Sequence, residues 1–261
     1  MSSRLVCLSL LVVVSVSTAC APVRSHLIAE PISQAFADEL MQAWSESSAR
    51  VSSLQALAKV KVQAPLNSLN GSQVILAQKP DRLRAETLSP FGIPLLMLAA
   101  DGGTLEVSLP GQNVYYTGAA SPANLDLFVH LPLRLSDLVD VLLYQPPLIK
   151  AWKEKAYALQ KGGWLLVRYG TLRRQELVFN PLRQLVEVSF FENNDLFMKI
   201  NYAQIPEQGE PFPYRLSLEV PDKHTTVSLE FTEVKTNGEL RPDIFQLVRP
   251  PGARIVYLNG E

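Results

Sequence analysis

Residues able to do chemistry are few in this chain of 261 residues. The three histidines are His26, His130 and His224; His26 falls in the expected tether, and the other two have no metal-ligand spacing with a cysteine, aspartate or glutamate. Asp137 and Asp140 lie three apart on a predicted short helix and so share a face. That spacing fits either two acids dividing a proton transfer or an ordinary solvated helix surface. Asn193-Asn194-Asp195 offers oxygen donors to a cation, or the residue types that a hairpin turn prefers. No nucleophile elbow, P-loop or dinucleotide fingerprint is present. These residues argue for no enzyme, no cofactor and no metal.

The remaining reactive atom is the thiol of Cys20. Residues 1–19 carry Arg4, then a mostly apolar run from Leu5 to Val16, then the small residues Ser17-Thr18-Ala19. A run of 12 residues is too short to span a bilayer and fits the core of a signal peptide. Cys7 lies inside that run and leaves with it, so the mature chain would hold one thiol and no internal disulfide. The stretch resembles a bacterial lipobox, in which the cysteine is acylated (palmitate and related chains) as the first mature residue. Ser17 departs from the pattern, which prefers Leu, Val or Ile there. The two readings are a lipidated Cys20 and an ordinary secretory signal with a chance cysteine. Several acyl chains, at about 0.8 kcal/mol per buried CH₂, make a stable anchor. Ala21 is not the acidic residue that retains lipoproteins in the inner membrane. The expected place is therefore the periplasmic face of the outer membrane in a Gram-negative envelope. Residues 20–30 read as a tether and 31–261 as the folded domain.

With 24 Lys and Arg against 25 Asp and Glu, the charge is nearly balanced, and no basic patch suits nucleic acid. Ile32, Phe36, Leu40 and Trp44 recur every four residues behind Pro31, which predicts an amphipathic helix from Pro31 to about Ala49. From Leu57 the period becomes two. Short alternating segments follow at 57–63, 73–78, 83–87, 95–99, 105–109 and 114–117, separated by Pro and Gly turns. A helical interlude spans 119–150, with Ser136 as the expected cap of a short helix ending before Pro146-Pro147. Alternation then resumes at 165–169, 176–179, 186–190, 198–202, 216–220 and 227–232. One face is apolar and the other wet. The pattern predicts a mainly β chain: an incomplete, half-open antiparallel β-barrel of roughly 11 strands, with an N-terminal helix and mid-chain helices covering an apolar cavity. Candidate wall residues are Val60, Leu83, Val188, Ile200 and Leu229. Phe36, Leu40, Trp44 and Leu142 are expected at the cavity or its lid, with packing onto a sheet the simpler reading of Phe36 and Trp44. The turn Pro90-Phe91-Gly92-Ile93-Pro94-Leu95 is unusually apolar. It either projects as a membrane-contact loop, through Pro90, Phe91, Ile93, Pro94 and Leu95, or tucks into the cavity mouth.

The lipobox, the long first helix and the β chain broken by helices together resemble the LolA/LolB lipoprotein-carrier superfamily, nearest its lipid-anchored outer-membrane branch. In that branch an Asn-Pro-Leu-Gly turn exposes a leucine after an early strand. Ser89-Pro90-Phe91-Gly92 is similar, with Phe91 in the leucine's place. Leu131-Pro132-Leu133-Arg134-Leu135-Ser136-Asp137-Leu138 is similar to a segment leading into a short helix. The C-terminus, Phe245–Gly252 and Ile255–Leu258, departs from that branch. The resemblance implies a protein that binds acyl chains and assists lipoprotein localisation or insertion at the outer membrane. Its partners would be outer-membrane lipids, lipoprotein acyl chains and a periplasmic carrier protein. An accessory envelope lipoprotein using the same fold as a protein-binding scaffold is the alternative. A lipid-modifying enzyme would need polar groups converging inside the cavity.

Overall fold

The computed structural model describes residues 28–65 and 68–259. The signal peptide, Cys20 and His26 lie outside the described residues. The chain begins with strand β1 (Ile28–Pro31) and helix α1 (Gln34–Ser48). A first meander follows: β2 (Ser53–Gln63), β3 (Ser68–Gln78), β4 (Arg82–Leu88), β5 (Pro94–Asp101), β6 (Thr104–Leu109) and β7 (Val114–Ala119). Helices α2 (Pro122–Val129) and α3 (Leu135–Leu142) connect it to a second meander. That comprises β8 (Lys153–Leu159), β9 (Trp164–Tyr169), β10 (Arg173–Phe179), β11 (Leu185–Glu192), β12 (Asp195–Ala203), β13 (Arg215–Val220) and β14 (Thr225–Thr236), before a final β15 (Arg254–Leu258).

All 15 strands among the described residues belong to one open sheet. Within each meander neighbours in sequence are neighbours in space, the arrangement that costs least loop entropy. The halves join where β2 pairs with β14, in a register that sets Val60 opposite Leu229. β1 covers the edge of β8, and β15 runs parallel to β7 at the other extreme. Hairpin turns therefore alternate between two ends. The β4–β5, β9–β10, β11–β12 and β13–β14 turns share one end, the upper rim. The β3–β4, β8–β9 and β10–β11 turns share the lower one. Inward-facing residues form one continuous core, including Leu54, Ala58, Val60, Leu177, Val188 and Ile200. This is the half-open barrel that the alternation predicts.

The structure departs from the sequence reading in four places. It has 15 strands rather than roughly 11, because β1, β8 and β15 carry little periodic signal. In β8 the inward positions after Glu154 are filled by the small Ala156 and Ala158, and Lys153 and Lys155 face outward, so no bulky inward alternation shows. Helix α1 starts at Gln34, capped by the Ser33 hydroxyl accepting from the Phe36 amide at 3.3 Å, whereas Pro31 ends a strand. The sheet thus includes Ile28–Pro31, which the sequence reading assigned largely to the tether. Ser136 lies inside α3, and Arg134 occupies the cap position. The C-terminal segment crosses the outer face of the first meander. There the Arg84 guanidinium donates to the Ile244 carbonyl at 2.7 Å and the Leu247 amide donates to Glu106 at 2.7 Å.

Candidate functional site

The concave face is not filled evenly. Under the second meander it is packed solid by the chain's own side chains. Tyr144 and Tyr202 meet edge to face at 4.9 Å. Their hydroxyls donate to the carbonyls of Leu185 at 2.8 Å and Val141 at 3.1 Å. Burial pushes both phenols above their ordinary range. Under the first meander a cavity of about 90 Å³ remains. Its floor is formed by Val60, Val62, Ile75, Leu83 and Leu98 of β2–β5, and its far side by Val227 and Leu229 of β14. Phe128 and Val129 of α2, Leu131, and Leu138 and Leu142 of α3 roof it. Gln73 is its one polar lining residue among the described residues, and its amide already donates to the Thr87 hydroxyl at 3.1 Å. An apolar, unclaimed space of this kind favours hydrocarbon over water.

The two roof helices are held differently. At the end of α3, the Gln145 amide donates to the carbonyls of Ser48 at 2.6 Å and Val51 at 2.8 Å, and Asp140 pairs with Lys79 at 3.1 Å. Helix α2 starts on the Ser121 cap, with Pro122 at its first position, and ends at His130, whose left-handed backbone (φ 59°) closes it. Only Asn124 and Leu125 of α2 are fully buried. The helix is held to β7 by the Asn124 amide donating to the Ala119 carbonyl at 2.9 Å and by Phe128 against Tyr116 at 5.3 Å, and to the upper rim by the ion pair of Asp126 with Lys223 of the β13–β14 turn.

At the upper rim the β4–β5 turn projects. Phe91 is 90 % exposed, Ile93 63 % and Leu95 53 %. Ser89 organises the turn. Its carbonyl accepts from the Gly92 amide at 2.9 Å, its amide donates to Ile93 O at 2.8 Å, and its hydroxyl accepts from the amides of Phe91 and Ile93 at 3.3 and 3.1 Å. Gly92 takes φ +77°, open to a residue without a Cβ. With its polar backbone tied inward, the turn holds apolar side chains in the solvent. Leu69 and Leu96, at the same end, line the cavity.

Of the candidate residues, Val60, Leu83, Leu142 and Leu229 are brought together around this cavity. Val188 and Ile200 are paired across β11 and β12 and fully buried, but sit in the packed half and do not border it. Phe36, Leu40 and Trp44 face β9 and β10 at the lower end. Phe36 meets Trp164 at 5.4 Å and Trp44 meets Phe179 at 6.5 Å. Pro90, Phe91, Ile93, Pro94 and Leu95 form the projecting turn. Asp137 and Asp140 do not act as a pair: Arg134 holds Asp137 bidentately at 2.8 and 3.0 Å, and Asp140 faces Lys79. Asn193 and Asn194 have positive φ and form the β11–β12 hairpin turn. His130 and His224 are left-handed caps. The sequence reading missed Ile75, Leu98, Phe128 and Leu138, although period two or the helical spacing marks each as inward.

No family model matches the chain, and no curated protein matches it in sequence. Solved structures do. One is a domain from Vibrio parahaemolyticus carrying the name of an outer membrane lipoprotein-sorting protein. It is 13 % identical, covers 79 % of this chain and 94 % of its own length, and has a TM-score of 0.51. A LolA superfamily protein from Nitrosomonas europaea is 17 % identical over 79 % of this chain and 97 % of its own, at a TM-score of 0.49. At this identity the likeness is one of architecture: the chain shares the open half-barrel fold of the Vibrio domain.

Proposed function

We propose that this chain binds acyl chains in its half-barrel and assists the localisation or insertion of lipoproteins at the outer membrane, held there by acylated Cys20. The observation that supports this most directly is the placing of an apolar cavity and an apolar projecting turn at one end of the same sheet. The exposed Phe91 and Ile93 would seat that end on a bilayer, each contributing on the order of 1.5–3 kcal/mol when fully buried. The cavity then opens towards the hydrocarbon from which a chain is taken or into which it is released. No bond is made or broken. Direction follows from the difference in affinity between donor and acceptor.

The cavity, at about 90 Å³, is smaller than the ~150 Å³ apolar cavity known to admit benzene. A long chain enters only if the roof moves, and α2, with two fully buried residues against five in α3, is the less deeply packed part. The same small volume favours a second reading, an envelope scaffold whose half-barrel is never loaded. A fluorescent fatty-acid probe separates the two. The mature chain is expected to bind it saturably, palmitate to displace it, and Leu96→Trp at the cavity mouth to weaken binding without lowering Tm. Absence of displaceable binding would leave the scaffold reading. The anchor has its own test: Cys20→Ala is expected to abolish acylation, read by mass spectrometry, whereas Cys7→Ala leaves it intact.

A further inference from the structure

A second apolar projection stands on the upper rim, in the other meander. Trp152, just before β8, is 71 % exposed, and Leu172, in the β9–β10 turn, is 70 % exposed. The indole is not loose: its N–H donates to the Gly170 carbonyl at 3.1 Å, and the Trp152 amide donates to the Tyr169 carbonyl at 2.9 Å. A large aromatic ring is thus fixed in solvent beside a turn whose own tip is leucine. The surroundings are basic. Lys150 and Lys153 are exposed and have no acidic partner among the described residues. Arg173 is exposed and shares its charge with Glu192 at 3.2 Å, while Asp195 stands nearby on the β11–β12 hairpin. Glu154 is turned to Arg168 at 2.8 Å.

We infer that Trp152 and Leu172, flanked by Lys150, Lys153 and Arg173, form a second seat for a bilayer surface bearing anionic phospholipid headgroups. An indole that is amphipathic, held by a hydrogen bond and flanked by two lysines suits the headgroup boundary, where aromatic rings lodge and lysines meet phosphate. The inference rests on the reading that the chain works at a membrane, and it adds the lipid class and the orientation. Tether length permits it, although the chain enters the sheet at the lower end. Ile28 pairs with Leu159, and the seven residues back to Trp152 span about 23 Å of strand. The eight residues from Cys20 to Ile28 reach roughly 27 Å when extended, enough to bring an acylated Cys20 level with Trp152. With the Phe91 turn on the first meander and Trp152 on the second, one rim meets the membrane at two points.

The chain holds three tryptophans. Trp44 is buried, Trp164 is half-buried and Trp152 is exposed, so intrinsic fluorescence reports this seat. The mature protein, as purified, is mixed with vesicles of phosphatidylcholine, alone or with phosphatidylglycerol, containing acyl-brominated lipid. The expected result is quenching that Trp152→Phe removes and that phosphatidylglycerol strengthens. Lys150→Glu or Lys153→Glu should weaken vesicle binding by about fivefold or more. Leu172→Glu should reduce quenching at unchanged Tm. Unquenched wild type alongside quenched Phe91→Trp in the Trp152→Phe background would overturn the second seat and leave the Phe91 turn as the membrane contact. No quenching at either site would overturn both. Equal quenching with and without phosphatidylglycerol would overturn the anionic requirement.

Discussion

Phe91 and Ile93 stand clear of the core because Ser89 satisfies the turn's backbone without help from either side chain. Replacing both by Glu is therefore expected to leave Tm close to wild type, since turn tips carry few core contacts. Vesicle binding should fall sharply, because an unpaired carboxylate resists entry into hydrocarbon. Flotation with vesicles and a thermal melt check the two halves of this prediction. Unchanged flotation would remove the membrane role from the turn. The apolar turn was legible as an anomaly from Pro90-Phe91-Gly92-Ile93 alone. Its direction was not, because projection depends on the Ser89 hydrogen bonds, which no hydrophobic pattern encodes. Trp152 was silent for the same kind of reason: an isolated tryptophan beside lysines reads as core until the strand end is located.

At the scale of elements, helices α2 and α3 share one roof but not one fate. α3 is tied to α1 and the lower rim through Gln145 and Tyr202, whereas α2 is clamped to the rim by the partly exposed Asp126–Lys223 pair. Lys223→Ala is expected to cost under about 1 kcal/mol of stability, as for exposed ion pairs generally. It should also speed fatty-acid probe entry in stopped-flow mixing. Tyr202→Phe should do the opposite: it removes one buried hydrogen bond to the Val141 carbonyl, which keeps the Tyr144 amide at 3.3 Å, costing about 0.5–1.5 kcal/mol, while entry stays unchanged. Most strands were readable, because β2, β13 and β14 alternate large apolar residues with charged ones. β8 was not, since alanine inside and lysine outside looks like a loop. The division of the concave face was also hidden. Val188 and Val60 have the same pattern in sequence, yet Tyr144 fills the space beside one half of the barrel and nothing fills the space beside Val60.

For the whole molecule, the buried phenols of Tyr144 and Tyr202 set an alkaline limit. Burial raises both above the ordinary value, so folded and unfolded chains hold these protons alike below about pH 10. Above that the unfolded chain releases them first and gains stability relative to the fold. Urea melts should show little contribution from these groups between neutral pH and about 10, then a steep loss, made shallower by Tyr202→Phe. The join between β2 and β14 has a different consequence, one of timing. Residues 53–119 can form their meander long before residues 225–236 exist during synthesis. Through that interval β2 is a bare edge of 11 residues, the kind of edge that captures a strand from another copy. Lys59 and Lys61, exposed on its outer face, act as a partial guard. Loss of material on refolding should therefore rise steeply with protein concentration. A peptide copying residues 225–236, supplied during the first stage, should suppress that loss by capping the edge until the chain's own strand displaces it.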